Sequence, residues 1–500
     1  MTRASGILLP VFSLPSPYGI GTFGREAYRF VNFLAAAGQQ YWQILPVGPT
    51  SFGDSPYQSF STFAGNPYFI DLELLQRKGL LTETELLKAK LQKNPRQIDY
   101  ALLFHNRYPL LRIAYERAKE QDEAALSRFR LRHQSWIEDY ALFMALKAAF
   151  GQKSWTKWPE DIRLREPQAL EHWKEALCEE CSYWAWLQMV FFRQWGALKR
   201  YANSKGIEII GDLPIYVAQD SADAWANPEI FWFDENLSPV KVAGVPPDGF
   251  SATGQLWGNP LYRWEVLRER GYDWWVQRVE MSLSVYDRVR IDHFRGFDTY
   301  YAIPYGDETA ERGEWLQGPG LELFTLLTEK LGGPYGGKLP IIAEDLGYLT
   351  DSVRELLRGS GFPGMKVLEF AFDSREESDY LPHNYGHNCV VYTGTHDNDT
   401  VAGWFKSAAP EDVRFCRNYL QLTRREGENW GFIRGAWAST ADLAVAQMQD
   451  FLNLGSEARI NTPSTLGKNW CWRLQRGQLT LSLAEKIRQM TRLYGRQATK

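Results

Sequence analysis

Three acidic residues of this 500-residue chain each stand at or just past the end of a short strand-like run. Asp292 follows Arg288-Val289-Arg290-Ile291, Glu344 follows Ile341-Ile342-Ala343, and Asp397 lies just past Cys389-Val390-Val391-Tyr392. On a strand, alternate residues share a face, so Arg290 and Asp292 point the same way. A guanidinium beside a carboxylate favours the ionised state that a nucleophile needs, although a purely structural ion pair has the same signature. A carboxyl group leaving an apolar strand end is partly desolvated, which suits Glu344 to general-acid work. Its neighbour Asp345 faces the other way and reads as structural. The run His396-Asp397-Asn398-Asp399 invites a metal, but one His beside successive Asp residues converges poorly, and neither metal nor cofactor is expected. A nucleophilic carboxylate, a proton donor and a third acid to stabilise a positive sugar ring together suit glycosidic-bond chemistry.

These acids need a scaffold that repeats. Residues 22–37 show helical spacing closed by Gly38 and followed by Tyr41-Trp42-Gln43-Ile44-Leu45-Pro46-Val47, which reads as a buried strand. The same alternation recurs with helices at 182–203, 264–285 and 320–331, and after Thr350-Asp351. The matching strands are at 207–212, 288–292, 340–344, 365–370 and 389–394. Strands buried on both faces and spaced by helices imply a parallel sheet, either doubly wound or closed into a barrel. Asp54, Asp212, Asp292, Glu344 and His396-Asp397 gather at strand C-terminal ends, which favours an α/β fold of the (β/α)8 barrel type. The only G-x-G-x-x-G match, Gly19 to Gly24, precedes a strand instead of following one and is set aside. The helical stretch 73–180 breaks the rhythm. It divides the chain into a first barrel part (1–72), a helical insertion (73–180) and the rest of the barrel (181–500). The Gly- and Pro-rich segment 244–260 reads as a lid loop.

Composition narrows the partners. A net charge of -4 without a basic block argues against nucleic acid and anionic membranes. Aromatic residues make up 14% of the chain, enough for a rich core with some rings left to stack on sugar faces. Cys178 and Cys181 form a Cys-x-x-Cys pair without a second pair, which reads as helix packing and not as zinc binding. With no signal-peptide core and no long apolar span, a cytoplasmic location is expected.

Several longer motifs then converge: Trp42-Gln43-Ile44-Leu45-Pro46, Gly53-Asp54-Ser55-Pro56-Tyr57-Gln58-Ser59, Gly211-Asp212-Leu213-Pro214-Ile215 and Gly244-Val245-Pro246-Pro247-Asp248. They are joined by Trp257-Gly258-Asn259-Pro260, Arg290-Ile291-Asp292-His293-Phe294-Arg295-Gly296, Ala343-Glu344-Asp345-Leu346-Gly347 and Thr395-His396-Asp397-Asn398-Asp399. In these the chain resembles the 4-α-glucanotransferases of glycoside hydrolase family 77, from Gly6 to about Arg473. The resemblance implies a retaining double displacement on a (β/α)8 barrel acting on maltooligosaccharides and α-1,4-glucans, with glucose as acceptor or product. It implies Asp292 as nucleophile, Glu344 as acid and base, and Asp397 as transition-state stabiliser. By the same matching, Tyr57, Asp212, Arg290, His396 and Asn461 line the sugar subsite, and Trp257 with Asp248 meets the acceptor. An amylase-like hydrolase and a non-catalytic glucan-binding protein are the alternatives. Gly249 replaces a commonly large residue and implies a looser acceptor side. Phe52 replaces a tyrosine, which implies a weaker secondary glucan site near Phe52 and Tyr100.

Overall fold

The computed structural model describes residues 3–51, 53–247, 251–347 and 349–498. Eight parallel strands form its centre: β1 (Ala4–Leu8), β2 (Tyr41–Gln43), β3 (Glu208–Leu213), β4 (Arg288–Ile291), β5 (Ile341–Ala343), β6 (Gly364–Val367), β7 (Cys389–Tyr392) and β8 (Leu443–Gln447). Neighbours in space are neighbours in sequence, and β1 closes the ring by pairing with both β2 and β8. At the remaining seam, between β5 and β6, Ala343 N donates to Pro363 O at 2.9 Å. Asp345 reinforces the same seam by accepting from Met365 N at 2.6 Å, the structural role its position implied. The fold is a (β/α)8 barrel.

Strand alternation sorts the barrel's side chains into two cores. Ala4, Leu8, Tyr41, Ile210, Ile342, Met365, Val367, Val390, Tyr392, Leu443 and Val445 pack on one another inside the ring. Their neighbours on the strands face the surrounding helices and join one large apolar cluster. The helix Arg25–Ala36 buries Ala27, Phe30, Val31, Phe33 and Leu34 against it, and the helix Asp351–Ser360 starts where the Thr350 side chain accepts from Val353 N. The core reading of most aromatics holds: Trp42, Trp155, Trp186, Trp225, Trp275 and Trp437 are fully buried.

Several elements differ from the sequence reading. β1 and β8, the pair that closes the ring, are not legible as strands in Ala4–Leu8 and Leu443–Gln447. β2 ends at Gln43 instead of Val47. The single helix expected over 264–285 is two, Trp264–Glu269 and Asp273–Val285, broken where Tyr272 takes a left-handed φ of 53°. The segment read as a lid loop, 244–260, begins in the strand Lys241–Val245 and ends in the strand Gln255–Pro260, which join Thr299–Pro304 and Glu314–Gln317 in an antiparallel sheet. Pairing with strands distant in sequence makes this sheet, so its glycines and prolines misled.

Between β2 and β3 the chain is helical, with the long helices Tyr100–Arg132, Ile137–Ala149 and Cys178–Ser204. Cys178 and Cys181 lie in the first turn of the last of these. None of the described helices is long and apolar enough to cross a membrane.

Candidate active site

The inward positions that follow the apolar interior are polar. Two residues beyond Ile210 on β3 stands Asp212, and two beyond Ile342 on β5 stands Glu344. β4 contributes Arg290 and then Asp292 from the same face, because the strand period is two. Arg290 is 4% exposed, and its Nη1 lies 2.8 Å from both Asp212 oxygens and 2.9 Å from Asp292 Oδ1. One guanidinium nitrogen therefore ties together carboxylates from adjacent strands.

The network continues around the mouth. Tyr57 donates its hydroxyl to Asp212 Oδ2 at 2.7 Å and sits 3.5 Å from His396 Nδ1, with the two rings stacked at 5.1 Å. His396 Nε2 lies 3.3 Å from Asp397 Oδ2, and Asn461 Nδ2 donates to Asp397 Oδ1 at 2.6 Å. Residues from β3, β4 and the loops after β2, β7 and β8 thus form one continuous chain of contacts.

Glu344 stands opposite, fixed by backbone donors. Its Oε2 accepts from His293 N at 2.6 Å and its Oε1 from Leu346 N at 2.8 Å. His293 can aim its N–H this way because its φ of 53° turns the chain sharply after Asp292. The Trp257 ring meets the His293 ring edge-on at 4.8 Å.

Burial and charge set the protonation states. Burial raises Glu344 to about 7, aided by the nearby Asp292 charge and opposed by Arg290 and the two backbone donors. Burial also acts to raise Asp397, but His396 and Asn461 outweigh it and hold the carboxyl at about 2. Asp397 in turn lifts His396 above its ordinary value, although burial opposes this. Burial drives His293 down to about 4, so its imidazole is neutral at pH 7. Burial disfavours the Arg290 charge, yet Asp212 and Asp292 keep it firmly protonated. The site therefore offers a paired carboxylate, a carboxyl group poised near neutrality, and a second anion held by His396 and Asn461.

Of the residues singled out from the sequence, Asp292, Glu344, Asp397, Tyr57, Asp212, Arg290, His396 and Asn461 converge here, with Trp257 at the rim. Asp248, Gly249 and Phe52 lie outside the described residues. Tyr100 is 9% exposed and donates its hydroxyl to Trp470 O at 2.9 Å, so it presents no free ring to a secondary sugar site. Sequence reasoning missed three contributors. His293 directs its backbone at Glu344. Arg459 donates to the carbonyls of Asp397 at 2.5 Å and Asn461 at 2.7 Å. Trp470 packs beside Tyr57 and His396 with ring centroids at 5.8 and 5.9 Å. His293 and Arg459 were signalled only by lying within two residues of Asp292 and Asn461, and nothing local signalled Trp470.

Comparison with known proteins agrees with this geometry. The family profile described as 4-alpha-glucanotransferase, of glycoside hydrolase family 77, matches residues 9–480. A 4-alpha-glucanotransferase of Clostridium butyricum is 52% identical over 97% of this chain and 99% of its own length. One from Thermus thermophilus is 49% identical over 98% of each chain. The solved amylomaltase of Streptococcus agalactiae in complex with acarbose superposes with a TM-score of 0.96 at 43% identity, covering 99% of this chain and all of that one. The chain belongs to the 4-alpha-glucanotransferases of glycoside hydrolase family 77.

Proposed function

We propose that the protein is a 4-α-glucanotransferase that moves α-1,4-glucan segments between maltooligosaccharides, with glucose as the smallest acceptor. Asp292 attacks the anomeric carbon of the donor while Glu344 gives its proton to the departing glycosidic oxygen. The products are a covalent glucosyl-enzyme and a shortened glucan. Glu344, now ionised, takes the proton from the 4-hydroxyl of an acceptor, whose oxygen displaces Asp292 with overall retention. Asp397 stabilises the positive charge on the ring between these states. Tyr57, Asp212, Arg290, His396 and Asn461 hold the sugar that carries it. Trp257, with Asp248, receives the acceptor.

The observation that carries this reading is the contrast between two acids on adjacent strands. Asp292 is paired to Arg290 at 2.9 Å, whereas Glu344 rests on backbone N–H groups and is held near 7. That contrast separates a nucleophile from an acid–base group. We treat residues 73–180 as a helical insertion between the two parts of the barrel. The five free cysteines suit a reducing, cytoplasmic setting.

Maltotriose tests the proposal. Transfer yields free glucose together with longer maltooligosaccharides and no net rise in reducing ends. Reducing ends that climb with every cleavage would make the protein a hydrolase. Asp292→Ala is expected to lower turnover by at least about 10⁴-fold. Full activity in that variant would remove Asp292 from the chemistry.

A further inference from the structure

The polar ring at the barrel mouth holds a further acid that the mechanism leaves unused. Glu369 lies in the 3-10 turn Leu368–Phe370 that directly follows β6, and it is 7% exposed. Its Oε1 has no hydrogen-bond partner among the described residues. Neither has Gln447 Oε1, which extends from the inward face of β8. Gln447 Nε2 donates to the Asp399 carbonyl at 3.2 Å, which fixes the orientation of its amide.

Between these two strands β7 runs out into Gly394. A methyl group there would lie 2.8 Å from Glu369 Oε1, 3.1 Å from Asn398 Cβ and 3.2 Å from Gln447 Nε2. Only glycine leaves room for the Glu369 and Gln447 side chains, which both line this position. The turn from Thr395 to Asp399, which bears His396 and Asp397, follows directly in the chain. From within the turn, Asn398 Oδ1 accepts from Thr395 N and Thr395 Oγ1, both at 2.8 Å.

The charged groups facing Glu369 are Asp450, Asp399 and Arg459. Arg459 is engaged with the carbonyls of Asp397 and Asn461. An ionised Glu369 would be a largely buried charge with no donor at Oε1, confronted by two further carboxylates. Two buried oxygens on side chains that both line Gly394 lack donors, each at a cost, and a proton on Glu369 shared with Gln447 Oε1 would satisfy both. Burial first, and then Asp450 and Asp399, push Glu369 well above the ordinary carboxylate range, in the direction this geometry requires.

We propose that Glu369 is a neutral carboxylic acid that donates a hydrogen bond to Gln447 Oε1 and thereby positions the turn carrying Asp397. It is a positioning residue that acts through this hydrogen bond and does not touch the substrate. The catalytic consequence rests on the role given above to Asp397, whereas the proton on Glu369 does not.

Infrared difference spectroscopy of the unliganded full chain at pH 7, parent minus Glu369→Gln, tests the proton directly. The carboxylic-acid C=O band of Glu369 appears in that difference, while the Glu344 contribution is common to both proteins and cancels. A difference spectrum without the band overturns the proposal whatever the role of Asp397. Kinetics with maltotriose test the positioning. Glu369→Ala is expected to lose roughly tenfold or more in kcat with little change in KM, because the group it disturbs acts on the transition state. Glu369→Gln, whose amide N–H replaces the acid proton, recovers most of that loss. Thermal unfolding of each variant confirms that folded proteins are compared. A Gln variant as impaired as the Ala variant would show that the charge is what matters. An unchanged kcat in Glu369→Ala would remove the positioning role and leave the band to report the proton alone.

Discussion

The buried carboxyl of Glu344 carries both a catalytic and a stability prediction. In the proposed mechanism donor cleavage needs its proton, so kcat/KM for maltotriose is expected to fall as pH rises through about 7. A donor whose leaving group needs no proton, such as α-maltosyl fluoride, should lack that alkaline limb in the glycosylation step, and Glu344→Gln should still be glycosylated by it. An alkaline limb shared by both donors would assign the ionisation elsewhere. The same shift has a stability sign. The folded state keeps the proton up to about 7 while the unfolded chain releases it near 4.5, so stability falls as pH rises through that window. Glu344→Gln should therefore raise the unfolding midpoint at pH 8 and leave it unchanged at pH 4. Tyr57 is a second test at this scale. Its hydroxyl is a charge-assisted donor to Asp212 at 2.7 Å. Tyr57→Phe is expected to cost about 1.5–3 kcal/mol of transition-state binding, or about 10- to 100-fold in kcat/KM. Wild-type kinetics would show that this hydrogen bond does not reach the chemistry.

The element scale divides into what patterning showed and what pairing decided. The apolar runs that end in Asp212, Asp292, Glu344 and Thr393 announced β3, β4, β5 and β7, because buried parallel strands are short, apolar and β-branched. Ala4-Ser5-Gly6-Ile7-Leu8 and Leu443-Ala444-Val445-Ala446-Gln447 carry no such signal. Their small residues are there for packing. A Cβ on Gly6 would meet Tyr41 Cβ at 2.7 Å and Tyr41 O at 2.8 Å, so β1 approaches β2 only as glycine. Gly6→Val should destabilise the protein by about 1–3 kcal/mol, read from its urea midpoint. A neutral substitution would mean that β1 is free to shift, and that ring closure is looser than the register indicates.

At the scale of the whole molecule the helices between β2 and β3 and the barrel share one apolar core. The helix Cys178–Ser204 buries Trp186, Phe191 and Trp195, and contacts both the insertion helices and β3. Lys147, 2% exposed on the insertion helix Ile137–Ala149, donates to Asp220 Oδ2 at 2.6 Å in the loop after β3. The expected outcome is a single thermal transition, coincident by circular dichroism and tryptophan fluorescence. Two separated transitions would show that residues 73–180 fold as an independent unit.

The sequence by itself determined the alternation of strands and helices, the acids at strand ends, and the pairing of Arg290 with Asp292. All of these follow from local periodicity. It also carried the family motifs that pointed to Tyr57, His396 and Asn461. The tertiary structure decided the closure of the ring through β1 and β8, the sheet that bears Trp257, and the unbroken network from Asp292 to Asn461. It alone revealed that Glu369 and Gln447 both line Gly394, next to the Asp397 turn. These features depend on residues far apart in the chain, whose proximity and burial no local pattern encodes. Burial, in particular, is a property of the assembled barrel, and it is burial that sets Glu344 near 7.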